Sequence, residues 1–198
     1  MERSELLSLI REDYQRYEKL EGRKSGICKK IGRAFFSESF SITFWFRVCS
    51  YLQSKNNVFA RMIIKPLSLF FRMNEQRLGI ELPIGTRVLG GAKFCHYGTI
   101  VINENSVIGK NVTIHHGCTL GCIFEGKHKG SPILGNRVVM FPGSKVVGNV
   151  HVGNNVVIAA NSVVTNDIPD NCIVGGIPAR ILSEDSRSFF IGRNNVVF

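Results

Sequence analysis

The chain has 198 residues, of which 44% are hydrophobic and 20% are charged. This length and composition predict one globular domain with a small appendage and exclude a largely disordered chain. Arg47, Arg61 and Lys65 interrupt the most apolar stretches before any of them reaches the length of a membrane span. The first residues also lack the order of basic, apolar and small residues that marks a signal peptide, so we expect a cytoplasmic protein.

The cysteine pattern argues against a metal framework. The six cysteines form no Cys-x-x-Cys pair, and no His-x-x-x-His motif accompanies them. We therefore expect no bound metal, and small buried cysteines in a reducing compartment.

Positive charge is concentrated in one part of the chain. The net charge is +10, and residues 23–77 alone hold eleven Lys or Arg against two acids. Such an excess favours an anionic partner. We expect a helical cap with a solvated basic face, and the alternative is peripheral contact of residues 23–77 with the inner face of an anionic membrane. Nucleic acid is not expected, because no recognised binding motif accompanies the charge.

The first 78 residues show helical spacing of apolar side chains. Residues 4–20 fit an amphipathic helix, and aromatic and aliphatic residues predict a second helix from Ser37. A third helix is predicted over Val58 to Met73, with Pro66 kinking or dividing it. A basic, glycine-containing connector is predicted over 23–32. Residues 1–78 are therefore predicted to form a helical, basic N-terminal region.

At Gly79 a six-residue period replaces the helical spacing. Within residues 104–121 an aliphatic residue occupies every sixth position, at Ile108, Ile114 and Leu120, and a small or β-branched residue lies two positions before each. Fixed-period repeats indicate a solenoid whose units stack to bury one apolar face. Six residues are too few for a helix pair, so each unit is predicted to be one short strand and one corner.

The same period extends in both directions. Traced backwards it puts His96 at an inward aliphatic position, and traced forwards it resumes at Leu134. The polar, glycine-rich stretch 122–132 between the two blocks is predicted to be a loop extruded from the solenoid. We therefore predict a repeat domain over 79–182, followed by a tail over 183–198 without periodic pattern.

Three stretches of the repeat region resemble hexapeptide-repeat acyltransferases. They are residues 95–102 (Cys-His-Tyr-Gly-Thr-Ile-Val-Ile), 159–164 (Ala-Ala-Asn-Ser-Val-Val) and 176–180 (Gly-Ile-Pro-Ala-Arg). Within that superfamily the chain resembles serine O-acetyltransferases, and especially the short relatives that acetylate saccharides in capsule, exopolysaccharide or O-antigen synthesis. The resemblance implies a mainly β fold, a left-handed parallel β-helix behind a short α-helical region. It also implies an acetyl-CoA-dependent O-acetyltransferase.

The resemblance marks His96 as a general base. In the resembling enzymes the matching histidine takes the proton of the acceptor hydroxyl as that hydroxyl attacks the thioester carbonyl. Imidazole suits this step because its ordinary pKa lies near neutral pH. The family places an aspartate fifteen residues earlier to orient the ring, and the matching residue here is Glu81. A thiol at Cys95 beside the base leaves an acyl-enzyme route as an alternative.

Two departures from the family bear on the acceptor. Serine acetyltransferases carry an aspartate just before the catalytic histidine, and an Arg-His-Pro tract ahead of the next coil block. Here these positions hold Cys95 and the tract Gly130-Ser131-Pro132. A free amino acid would lack partners for its charges, so we expect Cys95, Ser131 and His128 to meet a saccharide hydroxyl. The alternatives are serine as the acceptor, and a non-catalytic solenoid scaffold.

Acetyl-CoA is the donor that the resemblance implies, bound between neighbouring coils of a homotrimer. Backbone amides and small residues would admit the pantetheine arm, and basic side chains would meet the phosphates. The candidates by position are Gly121, Lys127, Lys129, Gly143, Lys145, Ala160 and Arg180. His115 and His116, at a corner of the coil, are given a structural or solvent-facing role.

Overall fold

The computed structural model describes residues 1–21, 32–35 and 37–191. The predicted connector over 23–32, except Gly32, lies outside the described residues, and so does Cys28. In the described part, helices precede a parallel β-solenoid, and a short helix follows it.

The N-terminal region is helical, as its apolar spacing predicts. Helix α1 spans Arg3–Glu21, α2 spans Glu38–Gln53 and α3 spans Val58–Leu78. Two N-termini are capped by side-chain oxygens, which satisfy amides that have no partner within the helix. Ser37 accepts a hydrogen bond from the Phe40 amide at 2.9 Å, and Asn57 accepts one from the Ala60 amide at 2.7 Å.

Helix α3 runs further than its sequence pattern predicts. Pro66 lies inside it without dividing it, and the helix continues past Met73 to Leu78. Gly79 ends it in the left-handed conformation, with φ of 62°, which glycine adopts at little cost. Among the described residues, no helix has a long enough apolar stretch to cross a bilayer.

The repeat region folds into short strands, as the six-residue period predicts. In chain order, β1 to β15 are Ile80–Glu81, Arg87–Val88, Lys93–Cys95, Ile100–Ile102, Val107–Ile108, Thr113–His115, Thr119–Gly121, Ile133–Leu134, Val139–Met140, Lys145–Val147, His151–Val152, Val157–Ile158, Val163–Val164, Ile173–Gly176 and Ala179–Ser183. Each strand is too short to be stable alone, so the fold depends on stacking between coils.

Each coil contributes strands to three faces. Sheet 1 holds β1, β4, β7, β10 and β13, sheet 2 holds β2, β5, β8 and β11, and sheet 3 holds β3, β6, β9, β12, β14 and β15. The pairing is parallel except between β14 and β15. A regular coil contains three six-residue repeats, as the pairing of Lys145 with Val163 shows. The predicted parallel β-solenoid is confirmed.

The core is a column of aliphatic side chains from equivalent positions of successive coils. Behind sheet 1, the side chains of Leu82, Ile102, Leu120, Val146 and Val164 are at most 1% exposed. Burying one such side chain contributes about 1.5–3 kcal/mol relative to leaving it exposed. Stacking therefore supplies the apolar burial that no single repeat achieves.

The first coil departs from the predicted register. Lys93 pairs with Thr113, so this coil is two residues longer than a regular one. The inward position is held by Phe94, which is 2% exposed. His96 is instead exposed, with a φ of 61°, in the corner between β3 and β4. The prediction that His96 occupies an inward aliphatic position is therefore wrong, and its imidazole projects from the corner.

A buried ion pair joins the helices to the first coil. Arg47 of α2 donates to the Asp13 carboxylate of α1 at 3.0 Å and to the Leu89 carbonyl at 2.8 Å. The same carboxylate accepts from the Gly91 amide at 2.7 Å. The two side chains are 4% and 1% exposed, and hydrogen bonds to the backbone compensate for the loss of water.

Helices also cover the outer face of sheet 3. At its first coils, Arg16 of α1 donates to the Thr113 hydroxyl at 2.5 Å. Further along the sheet, helix α4 (Arg187–Ile191) packs Phe190 against Val139 and Val157. The tail that shows no sequence period therefore contributes structure to this face.

Candidate active site

One edge of the solenoid, where sheet 3 turns into sheet 1, stacks the corners of four coils. We term this row the histidine edge, and it comprises residues 96–99, 116–118, 142–144 and 160–162. Backbone hydrogen bonds join successive corners, and the Gly143 amide donates to the His116 carbonyl at 3.0 Å. Side chains far apart in the sequence are therefore held in one line.

Two histidines of this edge, His96 and His116, lie close to a third, His115, at the end of β6. The ring centroid of His96 lies 6.2 Å from that of His115 and 5.8 Å from that of His116. The pairing of Cys95 with His115 across β3 and β6 produces the contact. The sequence does not predict this cluster, because a regular coil of 18 residues would place position 113 beside position 95, whereas the first coil has 20 residues. No group of three His, Cys, Asp or Glu side chains in the described part of the chain is arranged to hold a metal ion.

His115 is held as a neutral imidazole beneath this edge. It is 7% exposed and stacks on Phe141 with 5.4 Å between ring centroids. Burial is the main cause that lowers the pKa of His115 to about 4, and the neighbouring His96, His116 and Lys93 contribute to the same shift. Its Nε2 atom has no hydrogen-bond partner within the described residues. His115 is therefore uncharged at neutral pH.

Cys95 is covered rather than open to an acceptor. Its side chain is 6% exposed on the outer face of sheet 3, which α1 covers. Burial raises the pKa of the Cys95 thiol, so the reactive thiolate is disfavoured. The predicted contact of Cys95 with the acceptor does not fit this burial, and neither does an acyl-enzyme route.

Glu81 lies on the open outer face of sheet 1, opposite Val101 of the neighbouring strand. It lines a groove of about 420 Å³ together with Arg72 and Val101. Within the described residues of this single chain, the lining of that groove does not include His96. The predicted pairing of base and carboxylate is therefore not assembled in this structure.

The extruded loop lies on a different edge, where sheet 1 turns into sheet 2. The Ser131 hydroxyl donates to Asn103 Oδ1 at 2.8 Å, and the carbonyl of half-buried His128 accepts from the Asn149 amide at 2.9 Å. This edge and the histidine edge are opposite borders of sheet 1. One chain therefore does not bring Ser131 or His128 to His96.

The predicted cofactor residues fall on these two edges and at the end of the coil. Gly143, Ala160 and the adjacent Lys145 lie at the histidine edge, Gly121, Lys127 and Lys129 lie at the loop edge, and exposed Arg180 lies on β15. Gly143 has a φ of 76°, and a Cβ there would lie 2.1 Å from the Asn161 side chain. Only glycine fits, and it leaves bare backbone beside Lys145, whose Nζ donates to the Gly143 carbonyl at 3.0 Å.

The chain is similar to serine acetyltransferases. It is 39% identical over 146 residues to a serine acetyltransferase of Staphylococcus epidermidis. The aligned residues cover 72% of this chain and 65% of that protein. A solved serine acetyltransferase in complex with cysteine matches at a TM-score of 0.73 and 26% identity, over 91% of this chain and 71% of that one. A serine acetyltransferase from Brucella abortus, in complex with coenzyme A, matches at a TM-score of 0.74 and 25% identity. The match covers 92% of this chain and 70% of that one.

The fold and the stacked corners define a hexapeptide-repeat β-solenoid protein. The particular proteins that it resembles are these serine acetyltransferases. The chain spans 65% of the length of the S. epidermidis protein. No protein-family model matches the chain. No saccharide acetyltransferase is among these three proteins, so the resemblance to that subgroup is not confirmed.

Proposed function

We propose that the chain is an acetyl-CoA-dependent O-acetyltransferase whose reaction takes place at the histidine edge. The observation that carries the proposal is the exposed imidazole of His96, at the start of a row that continues through Gly143 and Ala160. Small residues with bare backbone suit an extended pantetheine arm. The similarity to a serine acetyltransferase solved with coenzyme A supports acetyl-CoA as the donor.

In the proposed reaction, an acceptor hydroxyl oxygen attacks the thioester carbonyl carbon of acetyl-CoA. His96 takes the hydroxyl proton as the new carbon–oxygen bond forms. The carbon–sulfur bond then breaks, and the leaving sulfur takes that proton from His96 and departs as the thiol of CoA. Neutral His115 does not oppose the transient charge on His96. Glu81 stays a proposal from the family resemblance alone, because the groove that it lines does not include His96 within the described residues of one chain.

A homotrimer is proposed to complete the site. His96 and the loop that carries Ser131 and His128 lie on opposite borders of sheet 1 in one chain. Copies arranged around a threefold axis make head-to-tail contacts, in which one border of a chain meets the other border of its neighbour. Such packing brings the loop lysines, Lys127 and Lys129, toward a donor held at the neighbour's histidine edge.

L-Serine is the acceptor proposed first. The departures at Cys95 and Gly130–Pro132 favour a saccharide, whereas the relatives that the chain resembles are named for serine acetylation. That similarity supports serine as the acceptor better than it supports the predicted saccharide.

A saccharide hydroxyl is the second candidate, and one observation favours it. Cys95, which stands where serine acetyltransferases carry an aspartate, is buried and uncharged. Ser131, in the tract that replaces Arg-His-Pro, is held by Asn103. Neither residue offers a charge to the ammonium or carboxylate of free serine.

Thiol release from acetyl-CoA by the purified full chain tests the proposal. Release stimulated by L-serine supports the first acceptor, and release stimulated only by neutral saccharides moves the assignment to the second. His96→Ala should lose the stimulated release. His151→Ala, which changes an exposed histidine on sheet 2, should keep it. Unchanged release from His96→Ala, or no binding of CoA, would support a non-catalytic scaffold.

A further inference from the structure

Helix α3 exposes a row of large apolar side chains. Phe59 is 80% exposed, Met62 67% and Met73 60%, and the same row includes Val58, Ile63, Leu69 and Phe70. These residues recur every three to four positions, so they share one side of the helix over about 22 Å. The opposite side is buried against the protein. A contiguous exposed apolar face of this length marks an interaction surface.

A basic border runs beside this apolar face. Arg61, Lys65 and Arg72 are exposed and share the adjacent side of the helix. The acid of α3, Glu75, is turned toward the solenoid, where its carboxylate accepts from the Leu82 amide at 2.7 Å. The helix therefore presents an apolar face and positive charge to its surroundings.

This combination fits an anionic lipid surface better than a twofold contact with a second copy of the chain. A twofold contact through the apolar face would set the same patch of Arg61, Lys65 and Arg72 against itself, and like charges oppose association. An anionic leaflet satisfies both features. Its acyl chains accept the apolar side chains, and its phosphates attract the border.

We propose that α3 lies in the interface of an anionic membrane, with its apolar face toward the acyl chains and its basic border among the headgroup phosphates. The inference narrows the contact predicted for residues 23–77 to one face of one helix. It concerns binding alone and goes beyond the proposed reaction.

The same helix borders the open face of sheet 1. Lys65 and Arg72 line a groove of about 470 Å³ together with Glu75 and Glu81. A membrane-bound α3 holds this groove beside the lipid headgroups, where a lipid-linked hydroxyl acceptor is located. This consequence rests on the proposed function, whereas membrane binding does not.

Flotation of the purified full chain with vesicles tests the inference. Phosphatidylcholine vesicles with about 30% phosphatidylglycerol should bind the chain about tenfold more tightly than phosphatidylcholine alone, because several basic groups contribute. The double variant Phe59→Ser, Met62→Ser should lose about tenfold of that binding, since it removes apolar anchors. Phe124→Ser is the matched control, because Phe124 is 77% exposed on the extruded loop, and it should bind as the parent does.

A matched pair of charge variants separates the effect of the basic border on vesicle binding from the effect of the net charge of the chain. Lys65→Glu should weaken binding to anionic vesicles more than Arg87→Glu, which reverses an exposed charge on sheet 2. Equal binding by the double variant and the parent would overturn the inference, and so would an equal loss in Phe124→Ser. A smaller mass of the double variant by light scattering, with no vesicle binding by the parent, would assign the face to a second copy. The assay contains no acetyl-CoA or acceptor, so its failure is distinct from failure of the proposed reaction.

Discussion

Sheets 1 and 3 are built from the same repeat and bury the same kind of core, yet their outer faces differ. Sheet 3 is covered by α1 through Arg16 and by α4 through Phe190, and His115 on it is 7% exposed. Sheet 1 is open, and its Glu81 and Lys145 are exposed. The repeat thus sets the architecture, and the covering helices separate structural side chains from those available for chemistry. The histidine edge is the border between the two faces.

The largest effect is expected on that border. His96→Ala should lower the acceptor-dependent rate of thiol release about a thousandfold, because a positioned general base contributes roughly 10²–10⁴ in rate. The free energy of unfolding should change by less than about 0.5 kcal/mol, since the side chain is exposed. Kinetics and urea denaturation of the same preparation measure both. If the variant loses activity only because it unfolds, His96 stabilises the fold and is not the general base.

The next effect tests the covered side. Arg47→Ala should lower the free energy of unfolding by about 3–5 kcal/mol, because Asp13 is left buried without its partner. Urea denaturation measures the change. Lys110→Ala is the control, since it removes an exposed pair with Glu12 at 3.9 Å and should cost less than about 1 kcal/mol. If Arg47→Ala does not fold, the double variant Arg47→Met, Asp13→Asn should recover part of the lost stability. Equal small losses in Arg47→Ala and Lys110→Ala would contradict the structural role of the buried pair.

A smaller effect is expected in the pH dependence of stability. Burial lowers the pKa of His115 from 6.5 to about 4, so the unfolded chain binds a proton between these values that the folded chain does not. The His115 contribution is therefore complete above pH 6.5 and is lost as the pH falls toward 4, by about 3 kcal/mol.

His115→Phe keeps an aromatic ring against Phe141 and removes the titration. It should flatten the decline in stability below pH 6.5, measured by urea denaturation across the pH range. His151→Phe, at an exposed position, should retain the decline of the parent. Identical pH profiles for the parent and His115→Phe would show that His115 is not held neutral by burial.

The smallest effect is expected on the open face. Lys145→Ala should raise the KM for acetyl-CoA about threefold with unchanged kcat, because one exposed cation contributes less than about 1 kcal/mol to an ion pair. The free energy of unfolding should not change. Arg87→Ala, an exposed change on sheet 2, should leave the KM unaltered. An equal rise in both variants would mean that Lys145 has no particular place beside the donor.

Much of the fold follows from the six-residue period. The repeated aliphatic positions Leu82, Ile102 and Leu120 form a buried column behind sheet 1. The loop over 122–132 lies where the period is interrupted. The prediction failed at His96 because the repeat has two buried positions that are two residues apart. A two-residue insertion exchanges them, and both accept aliphatic side chains, so the apolar pattern survives the shift.

The sequence pattern does not predict that helices cover the outer face of sheet 3. Arg16 and Asp13 look like ordinary polar residues of an amphipathic helix, and only the docked helix shows that they bond to Thr113 and Gly91. The burial of Cys95 follows from the same docking. The candidate base was identified from the short tract around it, whereas its histidine neighbours depend on the length of the first coil.

A crystal structure of the full chain with CoA tests the central claim most directly. The account predicts the thiol sulfur within hydrogen-bonding distance of the His96 imidazole, with the pantetheine arm along Gly143 and Ala160. Cofactor bound on another face, with its sulfur remote from His96, would contradict the assignment of the histidine edge as the site of acetyl transfer.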